Sequence, residues 1–132
     1  MKSNSVSFHV WFPLFGSITS GSSKAAAPPE TFEMLRESLE TKEKAENILM
    51  DFYTNSNWSI IRPGGLISEP KTGTAILTED VMAIGGIHRE DLAELVVKAM
   101  ESPQAERKVL TAVDPGLGNH FAETKKEFEA FV

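Results

Sequence analysis

The chain has 132 residues, with 13 lysines and arginines against 19 aspartates and glutamates and a formal charge of -6. That balance argues against a nucleic-acid partner, which needs a basic footprint for its phosphates. The absence of cysteine excludes disulfide and thiolate chemistry, and no apolar run reaches the roughly 18 residues of a spanning helix. One small hydrophobic core is feasible at this length.

At the amino end, Lys2 precedes an apolar segment from Val6 to Ile18, and Ala25-Ala26-Ala27 follow. This mimics a secretory signal with a small-residue cleavage site. Against it, His9 and Pro13 interrupt the apolar run, and no arginine occurs before position 36, as a transit peptide would require. Residues 1–16 stand as either a strand or a targeting segment. An intracellular location, cytoplasmic or organellar, is favoured over a secreted one. Met1 to Val10 are assigned to no element.

His9 to Gly16 reads as a strand that tolerates Pro13 at an edge or bulge, and the Gly/Ser/Ala/Pro-rich stretch from Ser17 to Pro29 as a loop. Glu30 to Tyr53 is expected to be helical with a break near Leu39. Ala45, Ile48, Leu49 and Phe52 recur at helical spacing and are expected to form its buried stripe. Glu40 with Lys44 and Lys42 with Glu46 form solvent-side pairs worth tenths of a kcal/mol each. Tyr53, the sole tyrosine, reads as a boundary packing residue.

Trp58 to Arg62 reads as a buried strand anchored by Trp58 and stopped by Pro63-Gly64-Gly65, since proline lacks an amide donor and glycine permits close backbone approach. Pro63 to Gly86 is expected to be a long loop, of the kind used as a binding lid or left without order. Glu90 to Met100 forms a helix burying Leu92, Leu95, Val96 and Ala99, with Glu90 and Asp91 facing the positive end of its dipole. Lys108 to Val113 is the next strand, ended by an Asp114-Pro115-Gly116 turn. The charged tail, 115–132, closes with a short helix around Glu123 to Phe131.

The layout predicts an α/β class: a partial, Rossmann-like parallel sheet in strand-helix-strand-helix-strand order with right-handed crossovers. Ligands in such sheets sit outside the carboxyl ends of the strands. Such folds begin with a strand, a glycine-rich turn and a helix whose amino end holds a pyrophosphate. No G-x-G-x-x-G occurs here. The amino-terminal dinucleotide-binding half is therefore expected to be absent, which leaves a sheet edge or face for another protein chain to cover.

The words Ser17-Ile18, Gly21, Ser23-Lys24, Ala27-Pro28-Pro29-Glu30, Lys42-Glu43-Lys44-Ala45-Glu46, Ile61-Arg62-Pro63-Gly64-Gly65-Leu66, Glu69-Pro70, Thr72-Gly73, Leu77-Thr78-Glu79-Asp80, Ile87-His88-Arg89 and Lys108-Val109-Leu110-Thr111-Ala112-Val113-Asp114 carry a resemblance. Between Ser17 and Asp114 the chain resembles the carboxyl-terminal half of atypical short-chain dehydrogenase/reductases, the NAD(P)-binding, NmrA-like branch. The resemblance implies a carbonyl-polarising serine at Ser17 and a cofactor-holding lysine at Lys42. At the tyrosine position stands Ser38, which has no phenolic proton to tune. It further implies that Pro63, Gly64 and Gly65 reach the nicotinamide end of the cofactor, and that His88 contacts substrate.

Each of these residues also has a plain structural reading. Ser17 is a turn cap, Lys42 a surface lysine, Pro63-Gly64-Gly65 a strand terminator, and His88-Arg89 with Asp91 the charged start of a helix. Arg62 either meets a phosphate or pairs with an acidic neighbour. Metal binding is set aside because His9, His88 and His120 show no ligand spacing. Two functions stand open. One is a truncated NAD(P)-binding reductase-like protein, with NAD or NADP implied by resemblance but not held by this chain alone. The other is a non-catalytic Rossmann-like subunit of a larger, organellar or other, assembly.

Overall fold

The computed structural model describes residues 11–16, 21–26, 29–54 and 56–117. A strand at Trp11–Phe15 (β1) leads to a 3₁₀ turn at Gly21–Ala26 and then to one continuous helix, Pro29–Phe52 (α1). Pro29 opens the helix where its missing N–H breaks no intrahelical bond, and no glycine or proline follows until α1 has ended. The expected break at Leu39 does not occur; Leu39 is buried against the body of the protein.

The buried stripe expected on this helix is overturned. Ile48 and Phe52 are 53% and 78% exposed, Ala45 is exposed and Leu49 half-buried. The inward face carries Leu39 and Glu46, with Lys42, Glu43 and Met50 half-buried beside them. Apolar residues recur at helical spacing on both sides of α1, so periodicity alone could not say which side packs. The buried partner of Glu46, described below, decides it.

The strands that follow are Asn57–Pro63 (β2), Gly65–Ile67 (β3), Ile76–Thr78 (β4) and Gly86–His88 (β5). Helix Arg89–Glu101 (α2), a 3₁₀ turn at Pro103–Ala105, strand Lys108–Val113 (β6) and a 3₁₀ turn at Pro115–Leu117 complete the order of the described elements. The main sheet runs β1-β2-β6-β4, with β1, β2 and β6 parallel and β4 antiparallel to β6. Leu14 stands opposite Ile60, and Ile60 opposite Val109. This is the parallel adjacency that a half-Rossmann sheet demands.

The segment from Pro63 to Gly86 is not the structureless loop expected of it. It holds β3, which pairs in parallel with β5, and β4, which adds the antiparallel edge. Strands of three residues are too short to leave a period-2 signature. Pro63 likewise does not stop the ladder at Arg62: it stays in register with Ala112, and the Gly64 N–H donates to the Ala112 carbonyl at 2.9 Å.

Between Trp58 and Arg62, β2 is buried at every position, as expected of a strand covered on both faces. Side chains alternate across the sheet, so Ile61 joins the core with Leu77, Ile87, Leu95, Ala99, Leu110 and Ala112, while Arg62 faces α1. Leu92 and Val96 pack against that core, so α2 presents the stripe its sequence foretells. Ile61, Leu77, Ile87 and Leu110 are at most 2% exposed, each worth roughly 1.5–3 kcal/mol of burial. Trp58 is also buried, and its indole N–H donates to the Tyr53 carbonyl at 3.1 Å.

Candidate functional site at the carboxyl ends of the strands

Where β1 and β2 end, a buried ion pair joins sheet to helix. Arg62 Nη2 and Nε donate to Glu46 Oε2 and Oε1 at 2.8 and 3.1 Å, and both side chains are at most 2% exposed. The planar guanidinium meets the carboxylate at both oxygens, the stronger form of such a pair. Arg62 Nη1 also donates to Ser22 Oγ at 2.8 Å, tying the turn after β1 to the same group. A Cβ at Gly16 would lie 2.3 Å from Glu46 Oε1, and one at Gly21, whose φ is +52°, would lie 2.5 Å from Arg62 Nη2. Glycine is what lets the chain close over the pair.

Arg62 therefore takes the acidic neighbour. The expected solvent-side pair of Lys42 with Glu46 is corrected: Glu46 is buried and belongs to Arg62. Lys42 is half-buried one turn before Glu46 on the same face of α1, and Ser38 is exposed a further turn back. Ser17, next after Gly16 in the chain, lies outside the described residues, as do His9, His120 and the helix expected around Glu123 to Phe131.

Pro63, Gly64 and Gly65 sit at the carboxyl end of β2. The Gly65 N–H donates to the Gly85 carbonyl at 3.0 Å, and a Cβ on Gly64 would fall 2.1 Å from that same oxygen. Gly64 is thus demanded by backbone packing. Around Gly65 nothing lies within 4 Å of an added Cβ.

A second polar cluster forms where β5, α2 and β6 meet. His88 is the N-cap residue of α2 but makes no side-chain cap bond. Asp91, in the first turn of α2, turns to the loop before β4: it accepts the N–H groups of Thr72 and Gly73, each at 3.0 Å. Asp114, just past β6, accepts the Thr74 hydroxyl at 2.6 Å, the Gly116 N–H at 2.9 Å and the Thr72 hydroxyl. All three side chains are buried. Burial by itself would raise the pKa of Asp91, but the amides of Thr72 and Gly73, the nearby His88 and the Thr72 hydroxyl together hold it below the usual carboxylate value. Arg89, the first residue of α2, donates to Ser68 Oγ.

Sequence reasoning did not find this cluster. Thr72 and Asp114 are 42 residues apart, and the only local signals are the turn words Thr72-Gly73 and Asp114-Pro115-Gly116. A cleft of about 100 Å³ beside it, lined by Gly73, Ala75, Asp91, Glu94, Leu95 and Lys98, is smaller than the roughly 300–1,000 Å³ of a small-molecule site.

A parallel β1-β2-β6 core, with polar side chains gathered at its carboxyl ends, defines part of an open α/β dinucleotide fold. The chain belongs to the NAD(P)H-binding family, whose model matches residues 10–103. The ChuY protein of Escherichia coli CFT073 is similar over 80% of this chain and 56% of its own, at 25% identity and a TM-score of 0.73. The fold is shared with the anaerobilin reductase ChuY of Escherichia coli O157:H7, at 23% identity and a TM-score of 0.74 over 81% of this chain and 51% of the other. It is also shared with a short-chain dehydrogenase/reductase of Veillonella parvula in complex with NADP, at 18% identity and a TM-score of 0.63 over 83% and 53% of the two chains. An uncharacterised chloroplastic protein of Arabidopsis thaliana is 38% identical over 58 residues, 43% of this chain and 21% of the relative.

The chain thus has the atypical short-chain dehydrogenase/reductase, NmrA-like fold and spans about half the length of the solved structures it matches. No helix among the described residues is long and apolar enough to cross a membrane.

Proposed function

We propose that this chain is the substrate-side half of an NAD(P)-binding, reductase-like protein, in which cofactor grip is impaired unless a complementary dinucleotide-binding half joins it. The observation that carries this reading is the convergence of Gly16, Arg62 and Pro63 at the carboxyl ends of parallel β1 and β2, the ligand side of such sheets. The described residues do not by themselves fit a dinucleotide. The amides of Gly64 and Gly65 already donate to Ala112 and Gly85, and Arg62 is engaged by Glu46. No glycine-rich strand-turn-helix is present among them. When bound, the cofactor would supply hydride chemistry. By resemblance Ser17 would polarise a carbonyl and Lys42 would steady the cofactor, but Ser38 cannot pass a proton as a phenol does.

The test is a thermal-shift and fluorescence titration of the whole chain with NADPH and NADH, since a ligand that binds the native state raises its melting temperature. Weak or absent stabilisation is expected. Tight binding with turnover of a carbonyl substrate would overturn the proposal.

A specific feature also favours the reading as a non-catalytic docking subunit. Met34, Ile48 and Phe52 are 82%, 53% and 78% exposed on one side of α1, and β1 ends the order of the described sheet. Exposed apolar faces and open strand edges are what partner chains cover. The chloroplastic relative makes an organellar assembly the natural place to look. Co-purification with light scattering tests it; a chain that is monomeric and without a stable partner counts against it.

A further inference from the structure

We propose that His88, Asp91 and Asp114 form a structural binding site for a divalent transition-metal ion, with Mn²⁺ and Zn²⁺ as the fitting chemistries. The three residues come from the end of β5, the first turn of α2 and the end of β6. They are 4%, 2% and 1% exposed. One ligand atom from each lies within 4.8 Å of the others, so a point exists about 2.8 Å or less from all three. Drawing them onto an ion at roughly 2.0–2.2 Å needs side-chain shifts under about 1 Å.

The independent sign is His88. Its Nδ1 is buried and has no hydrogen-bond partner among the described residues. Asp91 Oδ2 stands 3.6 Å away. That is too far for an N–H···O bond, which closes at about 2.7–3.2 Å, yet it matches the edge of a tetrahedron with bonds of roughly 2.0–2.2 Å, about 3.3–3.6 Å. The separation is that of two ligands with an ion between them.

Proton counting leaves lone pairs to receive the ion. The Thr74 hydroxyl is spent on Asp114 Oδ1, and the Thr72 hydroxyl has one proton to share between Asp114 Oδ2 and the more distant Asp91 Oδ2. Among the described residues, Asp91 Oδ2 otherwise accepts only the Thr72 amide. Among the described residues no lysine or arginine makes an ion pair with either carboxylate. An imidazole nitrogen left without a partner beside two buried carboxylates is a place where a cation is favoured. One imidazole with two carboxylates suits Mn²⁺ or Zn²⁺ better than Mg²⁺, which prefers all-oxygen surroundings with retained waters. Since the ligands are buried and hold the 72–74 loop and the 114–116 turn, the ion fastens these segments to α2, its remaining coordination falling to water or to second carboxylate oxygens.

The experiment takes the full chain, stripped with chelator and dialysed, and adds Mn²⁺, Zn²⁺ or Mg²⁺ alone. Mn²⁺ or Zn²⁺ is expected to bind at one equivalent and raise the melting temperature, with Mg²⁺ having less effect. His88→Gln and Asp114→Asn are each expected to weaken binding at least roughly tenfold. Should either variant fail to fold, imidazole NMR of the unaltered chain decides. One equivalent of diamagnetic Zn²⁺ should shift the His88 imidazole signals more than those of His9 and His120. A proton on His88 in place of an ion, seen as no binding at one equivalent, overturns the proposal, as does binding that leaves the His88 imidazole unshifted or is unchanged in both folded variants.

Discussion

Replacing Arg62 by methionine tests the organisation of the whole β1-α1-β2 end of the molecule. The substitution keeps much of the apolar stem and removes a guanidinium that makes two bonds to Glu46, at 2.8 and 3.1 Å, with both side chains at most 2% exposed. Breaking a buried pair by deleting one partner costs about 3–5 kcal/mol, because the remaining carboxylate keeps its desolvation penalty and loses its strongest offset. Against a total stability of about 5–15 kcal/mol, this should lower the melting temperature by roughly 10–20 °C. Glu46→Met should cost a similar amount. The double variant should recover most of the loss, since replacing both charges by packed apolar groups is near neutral or stabilising by about 1–4 kcal/mol. Urea unfolding followed by far-ultraviolet circular dichroism and by the fluorescence of buried Trp58 gives all four corners of the cycle. If Arg62→Met stays within about 1 kcal/mol of the parent, or the double variant is worse than either single one, the pair is no buried keystone and the argument fails.

Three further outcomes follow. Gly64→Ala should destabilise by about 1–3 kcal/mol, because its Cβ would meet the Gly85 carbonyl and a backbone atom cannot step aside. Gly65→Ala, with open space around it, should be neutral or gain about 0.4–1 kcal/mol; equal effects in chemical denaturation would refute the packing assignment. Ile48→Lys and Phe52→Glu should each change the stability of the isolated chain by about 0.5 kcal/mol or less, as exposed positions do, and a loss of several kcal/mol would restore the overturned stripe. Asp91→Asn should cost about 1–3 kcal/mol at neutral pH through weakened bonds to Thr72 and Gly73. Because folding depresses the Asp91 pKa, its contribution is complete above the unfolded value of about 3.9. It is lost as the pH falls through the folded value. Acid titration of stability should therefore be steeper for the parent than for the asparagine variant below about pH 5, and parallel curves would count against the assignment.

The contrast between legible and hidden features runs through single elements. Lys108–Val113 and the Leu92, Leu95, Val96 and Ala99 stripe were readable from the chain because an element's type and inward face are local when only one apolar face exists. The parallel order of β1, β2 and β6 followed from alternation of strand and helix patterns, since such crossovers permit few topologies. Helix α1 was misread because it has apolar residues on two sides, and the choice between them belongs to Arg62, 16 residues beyond Glu46. The three-residue strands between Pro63 and Gly86 carry too few side chains for a period, so their order comes from pairing with β5 and β6.

The amino-acid sequence by itself thus determined the kinds of the longer elements, their order and the family words at the strand ends, because these depend on backbone preference and on neighbours within a few turns. Only the tertiary structure decided which face of α1 is inside, that Gly64 is required by a facing carbonyl, and that His88, Asp91 and Asp114 share one site. Those outcomes rest on satisfying buried polar groups and volumes with atoms from distant segments, and no short window of sequence contains both partners.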